Sequence, residues 1–149
     1  MYFCKIDTPI TSFCTELTSI TQEQSDSGLP LPQILKLHSK WMFDNNFTSD
    51  NSMFVTCGDW DLKTMLPKHC DYLNISYPNY FSAWANIKVL FSNAYGRNAG
   101  GMKNMLDALE IPLDGTHHRG IDDCYNIAKI AQRMIVDKKC KFMPTYRIK

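Results

Sequence analysis

The 149-residue chain predicts an α/β fold, and three stretches carry that prediction. Ser52-Met53-Phe54-Val55-Thr56-Cys57 is a short apolar run rich in β-formers, the pattern of a buried strand. Gly58-Asp59-Trp60-Asp61 follows, and Leu62–Leu66 then reads as a short helix. Near the other end, Ile121, Cys124, Ile127, Ala128, Ala131, Met134 and Ile135 recur at helical spacing and predict an amphipathic helix.

The remaining elements follow in order. Thr21-Gln22-Glu23-Gln24 has the form of a capping box opening a short helix, and Ser25–Leu31 is a loop rich in Ser, Gly and Pro. Pro32–Asp44 predicts a helix, with proline suited to its first turn. Ile34, Leu35, Leu37, Trp41 and Met42 would form its buried side. Asp44–Ser52 is a polar loop. Tyr95–Gly101 breaks the chain before a helix over Met102–Glu110, with Met105, Leu106 and Leu109 facing inward. That glycine-rich break lacks the Lys-Ser/Thr of a phosphate-binding loop and reads as a plain connection.

Composition places the chain among ordinary one-domain proteins. Apolar residues make up 44% and aromatics 12%, enough for a packed core. The apolar runs are too short to span a bilayer, and no signal-peptide pattern opens the chain. A net charge of +1 gives no global basic field, although Lys138, Lys139, Lys141, Arg147 and Lys149 thicken the end into a tail that reads as a solvated helix end or a phosphate contact. The six cysteines are scattered and form no Cys-x-x-Cys. Two sequons, Asn46-Phe47-Thr48 and Asn74-Ile75-Ser76, would suit a secreted disulfide protein. Buried, reduced thiols in a cytoplasmic or nuclear protein are the preferred reading, not a secreted one. A zinc site from His69, Cys70, His117, His118 and Cys124 fits no standard spacing.

Chemistry concentrates in two places. In Gly115-Thr116-His117-His118-Arg119-Gly120-Ile121-Asp122-Asp123, a polar turn carries histidines and the following helix opens on two aspartates. Its partial positive end favours ionised carboxylates there. A carboxylate so held is a ready metal ligand, and a neighbouring histidine can take a proton from a metal-bound water, a layout that suggests metal-assisted hydrolysis. The same pattern also describes a well-capped helix after a solvated turn. Asp61 falls where the predicted strand passes to a helix, and ligand sites of α/β sheets gather at the carboxyl ends of strands. Taken alone, Asp61 also reads as a turn residue.

Together these segments resemble the DEDDh family of 3′→5′ exonucleases, and within it the Eri-type branch. Phe54–Pro67 resembles the branch's second motif, and His118–Asp123 its third. Trp84-Ala85-Asn86-Ile87-Lys88 is similar to its Trp-Ile-Asn-Leu segment, with Ala85 a departure. Phe13–Gln22 is similar to its Phe-Cys-x-x-Leu-Thr-Gly-Ile-Thr-Gln segment, with Ser19 in place of glycine. The resemblance runs from about Lys5 to Met134. It implies an RNase H-like mixed sheet of five strands flanked by helices, and a 3′→5′ exoribonuclease that hydrolyses RNA 3′ ends. Four carboxylates would hold two Mg²⁺ ions, or Mn²⁺, roughly 4 Å apart. By register, Asp61 and Asp123 are implied metal ligands and His118 the general base. His117 and Asp122 lie out of register. Leu17 and Thr18, in the turn ending at Ile20, would border the terminal nucleotide, and a side chain at Ser19 would crowd that pocket. Trp60 and Trp84 are candidates for base stacking.

One departure changes these expectations. The family's first motif, Asp-x-Glu on the first strand, is absent from this sequence. Met1–Ile6 corresponds to the family's third strand, so residues 1–149 read as a single partial exonuclease domain without its first strands. Two metal ligands would be missing and the neighbouring strand edges left unpaired. A fragment of a longer protein is the preferred explanation. The others are a partner that supplies the strand, and a non-catalytic remnant that binds RNA or a protein partner.

Overall fold

The computed structural model of the chain describes residues 2–137 and 140–148; Lys138, Lys139 and Lys149 of the basic tail lie outside them. The predicted strand forms as β1 (Phe54–Thr56) and pairs in parallel with β2 (Ala83–Asn86), in the register Phe54↔Trp84, Val55↔Ala85, Thr56↔Asn86. A two-residue β3 (Tyr146–Arg147) lies antiparallel on the other side of β2, giving a mixed sheet of order β1-β2-β3. Among the described residues β1 pairs with β2 alone. Phe3–Lys5 meet Leu29 in one isolated parallel bridge.

Alternation along the strands sends side chains to two faces, and each face is roofed by helices. Val55 and Ala85 belong to the core built with α5 (Ile87–Tyr95), α6 (Met102–Ala108) and α7 (Gly120–Val136), where Phe91, Met105, Leu106, Ile130 and Met134 are almost fully buried. Phe54 and Trp84 face the opposite way, onto α3 (Leu31–Asp44), a π-helical turn (Asp61–Met65) and α4 (Leu66–Tyr72). Each large apolar side chain so buried contributes about 2 kcal/mol. The result is a three-layer α/β architecture with the carboxyl ends of β1 and β2 side by side.

Upstream of α3 the chain forms two short helices, α1 (Ser12–Thr18) and α2 (Gln22–Asp26). The capping box of α2 is present: Gln24 N donates to Thr21 Oγ1 at 3.2 Å, and Thr21 N donates to Gln24 Oε1 at 3.0 Å. The inward set Met105, Leu106 and Leu109 is buried.

Two helical stripes differ from expectation. In α3, Leu35 and Met42 are buried but Trp41 is 53% exposed, leaning on Phe47 instead of the core. In α7 the inward line is Asn126, Ile127, Ile130, Ala131 and Met134, while Cys124, Ala128 and Ile135 face out. The thiols are likewise not uniformly buried. Cys70 is, but Cys14 and Cys124 are exposed, and all six are unbridged. No described helix is long and apolar enough to cross a membrane.

Candidate active site

Asp61 owes its position to a tightly tied strand end. After β1 the chain turns at Gly58, whose φ of 122° is accessible to glycine and strained for other residues. Gly58 N donates to Asn86 Oδ1 at 3.1 Å, and the same oxygen accepts Lys88 N at 3.0 Å, capping α5. One buried side chain thus joins the ends of both parallel strands. Next along, Asp59 Oδ1 accepts Trp84 Nε1 at 2.9 Å, so Asp59 is committed to the core and Asp61 is left exposed at the head of the π-helical turn. That turn closes through Leu66 N to Asp61 O, and its extra residue re-aims the side chains around it.

Asp123 is placed by the loop before α7. Asp122 Oδ2 accepts Thr116 N at 2.9 Å and lies 3.6 Å from Arg119 Nη1. Gly115 crowds the same carboxylate: a Cβ there would stand 2.5 Å from Asp122. Asn126, fully buried, holds the loop from below. Its Oδ1 accepts Asp114 N at 3.0 Å, and its Nδ2 donates to Asp114 O at 2.7 Å and Asp122 O at 2.8 Å. Asp122 and Asn126 therefore build the turn, and Asp123 is free to accept His118 N at 3.2 Å through Oδ1. His118 itself is exposed at φ 72°, a left-handed conformation uncommon outside glycine, which histidine adopts more readily than most side chains. Its ring stacks on His117 with centroids 3.9 Å apart.

The two acidic positions, 62 residues apart in sequence, act on the same pair of thiols. Burial pushes the Cys57 thiol up, Lys88 pulls it down, and both Asp123 and Asp61 raise it further. The Cys124 thiol is raised by desolvation and then by Asp123 and Asp61. Both carboxylates thus lie within electrostatic reach of the same two thiols, and His118 joins them through Asp123. The structure joins His118 to Asp123 by a hydrogen bond, and Asp61 shares with Asp123 an electrostatic influence on the Cys57 and Cys124 thiols.

The other candidate positions differ. Thr18 closes α1, its hydroxyl donating to Cys14 O at 2.7 Å and accepting Ile20 N at 3.2 Å, and Leu17 is 38% exposed beside it. No hydrogen bond among the described residues links Leu17 or Thr18 to Asp61, His118 or Asp123. Ser19 sits at φ 59° as the left-handed C-cap of α1, so glycine suits that position for backbone reasons. Trp84 is fully buried and bonded to Asp59, which removes it as a stacking platform. Trp60 is 63% exposed beside Asp61 and borders a groove of about 630 Å³ with Lys5, Lys68 and Tyr72. Sequence reasoning missed Asn86 and Asn126. The available signal for Asn126 was an amide on an otherwise apolar helical stripe.

Among the described residues no group of three or more His, Cys, Asp or Glu side chains is arranged to hold a metal ion. A pair of carboxylates does not fit a two-ion site, because Mg²⁺ sites are built from clustered oxygen ligands.

Comparison with known proteins identifies the family. Residues 1–131 match the exonuclease family RNase_T. The chain is 43% identical over 128 residues to ERI1 exoribonuclease 3 of Homo sapiens, covering 84% of this chain and 38% of that protein. It is 36% identical over 136 residues to 3′-5′ exoribonuclease 1 of Homo sapiens, covering 89% and 39% respectively. The chain therefore spans less than two-fifths of the length of these relatives. Its fold matches the nuclease domain of 3′hExo, a DEDDh family member bound to rAMP, with TM-score 0.90 and 33% identity, covering 97% of this chain and 73% of that one. A 3′-exonuclease solved in 3′-end specific recognition of histone mRNA stem-loop matches with TM-score 0.91 and 31% identity, covering 97% and 65%. With an RNase H-like mixed sheet, an aspartate at the end of β1 and a His-x-x-x-x-Asp at the head of α7, the chain belongs to the DEDDh exonucleases, in their Eri-type branch.

Proposed function

We propose that this chain is the carboxyl-terminal part of a 3′→5′ exoribonuclease domain acting on RNA 3′ ends. What supports it is the hydrogen bond from His118 N to Asp123, together with the electrostatic influence that Asp61, just beyond β1, and Asp123 exert on the same two thiols. In this reading Asp61 and Asp123 are the two metal ligands the chain contributes. The other two come from an Asp-x-Glu strand outside these 149 residues, on the same polypeptide or on a partner. The free edge of β1 is where such a strand would pair. His118 is the proton acceptor. Its imidazole is exposed, stacked on His117, and anchored through its backbone to Asp123. Trp60, exposed one residue before Asp61, offers an aromatic face to a base.

The absence of a three-ligand group among the described residues favours a second reading, in which the chain binds RNA or a protein partner without cutting. One experiment separates them. A 5′-labelled RNA is incubated with Mg²⁺ and either the 149-residue chain or the chain joined to its upstream coding sequence. Stepwise shortening from the 3′ end by the extended protein supports the exonuclease. Its loss in His118→Ala supports the assigned base, and full-rate shortening by that variant removes the assignment. No shortening by either protein supports the non-catalytic reading.

A further inference from the structure

A groove of about 490 Å³, of mixed polar and apolar lining, opens at the carboxyl ends of β1 and β2, and shares no lining residue with the groove beside Trp60. Its floor is Gly58 and Asn86, the two groups that tie the strand ends together. Its wall is one face of α5, presenting Lys88, Ser92 and Asn93 in successive turns, and its rim is Asn98.

The groups in the groove divide into committed and free. Asn86 Oδ1 is occupied by two backbone donors. Asp59 also borders the groove: its Oδ1 accepts Trp84 Nε1, while its other oxygen and its negative charge face the same space as Lys88. Ser92 Oγ accepts Ala99 N at 3.2 Å, which leaves its hydrogen available, and Asn98 Oδ1 accepts Gly100 N at 2.8 Å, which leaves its NH₂ available. Asn93 is exposed and makes no hydrogen bond through its side chain among the described residues. Lys88 makes no ion pair among the described residues, unlike Lys40, Lys103 and Lys129, each of which is paired with an aspartate. The free donors are therefore an ammonium, a hydroxyl and two amides, set beside the single carboxylate of Asp59. Such a set matches phosphate oxygens. Gly58 and Asp59, which line the groove, lead directly into Asp61, so the groove lies beside that candidate residue.

We propose that this groove, with Lys88 as its cation, holds the phosphate backbone of the RNA strand on the 5′ side of the terminal nucleotide. The proposal rests on the RNA 3′-end reading above and adds where the rest of the strand runs. Lys88 is a positioning residue: it touches no reacting atom and fixes the approach of the strand. In an RNA whose phosphates are regularly spaced, one anchored phosphate sets the register of the 3′ end against Asp61 and His118.

The test uses the 149-residue chain in EDTA and a 5′-fluorescein single-stranded RNA decamer, with binding read by fluorescence anisotropy across a salt series. Lys88→Gln is expected to weaken binding about five- to tenfold and to lower the slope of log K against log salt by about 0.7, one phosphate contact on a single strand. Lys88→Arg is expected to restore both. Asn93→Asp, at an exposed position that folding tolerates, is expected to weaken binding through repulsion. Lys103→Gln, on the outer face of α6, is expected to change neither affinity nor slope. Absence of RNA binding by the parent chain, equal binding by Lys88→Gln and parent, or an equal loss in Lys103→Gln would overturn the proposal. Shortening of the same RNA by the upstream-extended protein keeps the two ideas apart. Shortening with no Lys88 dependence of binding removes the groove and leaves the exonuclease. Lys88-dependent binding without shortening removes the exonuclease and leaves the groove.

Discussion

Asp123 Oδ1 accepts the backbone N–H of His118 at 3.2 Å, and His118 sits at φ 72°. One carboxylate of the candidate metal site thus also holds the candidate base in a backbone conformation that it would otherwise rarely adopt.

That coupling separates stability from activity at Asp123. Asn keeps an acceptor oxygen for His118 N, so Asp123→Asn should melt close to the parent. Asp123→Ala leaves the N–H without its partner and should cost about 1 kcal/mol in urea denaturation. In the upstream-extended protein both should lose RNA shortening by at least about 100-fold, since both remove the charge.

At His118 the backbone and the ring can be told apart. A left-handed conformation costs a non-glycine residue about 1 kcal/mol. His118→Gly should therefore fold at least as stably as the parent by thermal melt, while His118→Val, branched at Cβ, should fall by more than 1 kcal/mol, about the scale of such strain. Both should be inactive on RNA.

Asn126 satisfies three backbone groups of the loop before α7 while fully buried. Asn126→Leu strands all of them and should cost about 3 kcal/mol by chemical denaturation. Because the loop carries His118 to its place, activity should fall in the same variant even at temperatures where it remains folded.

Tyr95 donates its hydroxyl to Asp137 Oδ2 at 3.0 Å and links the end of α5 to the end of α7. Burial, then Asp137, pushes its phenol up to about 12. The unfolded phenol ionises near 10, at about its ordinary value. The folded state holds its proton longer, so this contribution is complete below about pH 10 and is lost as pH rises toward about 12. Tyr95→Phe should flatten the alkaline limb of a stability–pH profile over that window and leave the neutral region parallel to the parent.

How much could be read beforehand varied with the physics of each element. β1 was legible because Phe54, Val55 and Thr56 are apolar or β-branched and stop at a glycine. α7 was legible as a helix, but its buried stripe was not. Period counting admits Cys124 and Ile135 for being apolar and passes over Asn126, whose burial is earned by loop hydrogen bonds. β2 has only four residues, two of them alanine, and α5 begins directly at its last residue, so no turn marks the change. β3 exists only through its pairing with β2. A shared site for Asp61 and Asp123 has no signature in local spacing, and it is legible only through the family resemblance. Asp59 shows the limit of local reading in the other direction. It sits two residues from Asp61, but its carboxylate belongs to Trp84.

The central claim is that Asp61 and Asp123 act at one site, and a double-mutant comparison tests it most directly. Initial rates of Mg²⁺-dependent RNA shortening are measured for the upstream-extended protein, for Asp61→Asn, for Asp123→Asn and for the double variant. Residues that serve one site fail together, so the double variant should be no slower than the slower single variant, within about threefold. Losses that multiply, with each single variant retaining substantial activity, would contradict the shared site.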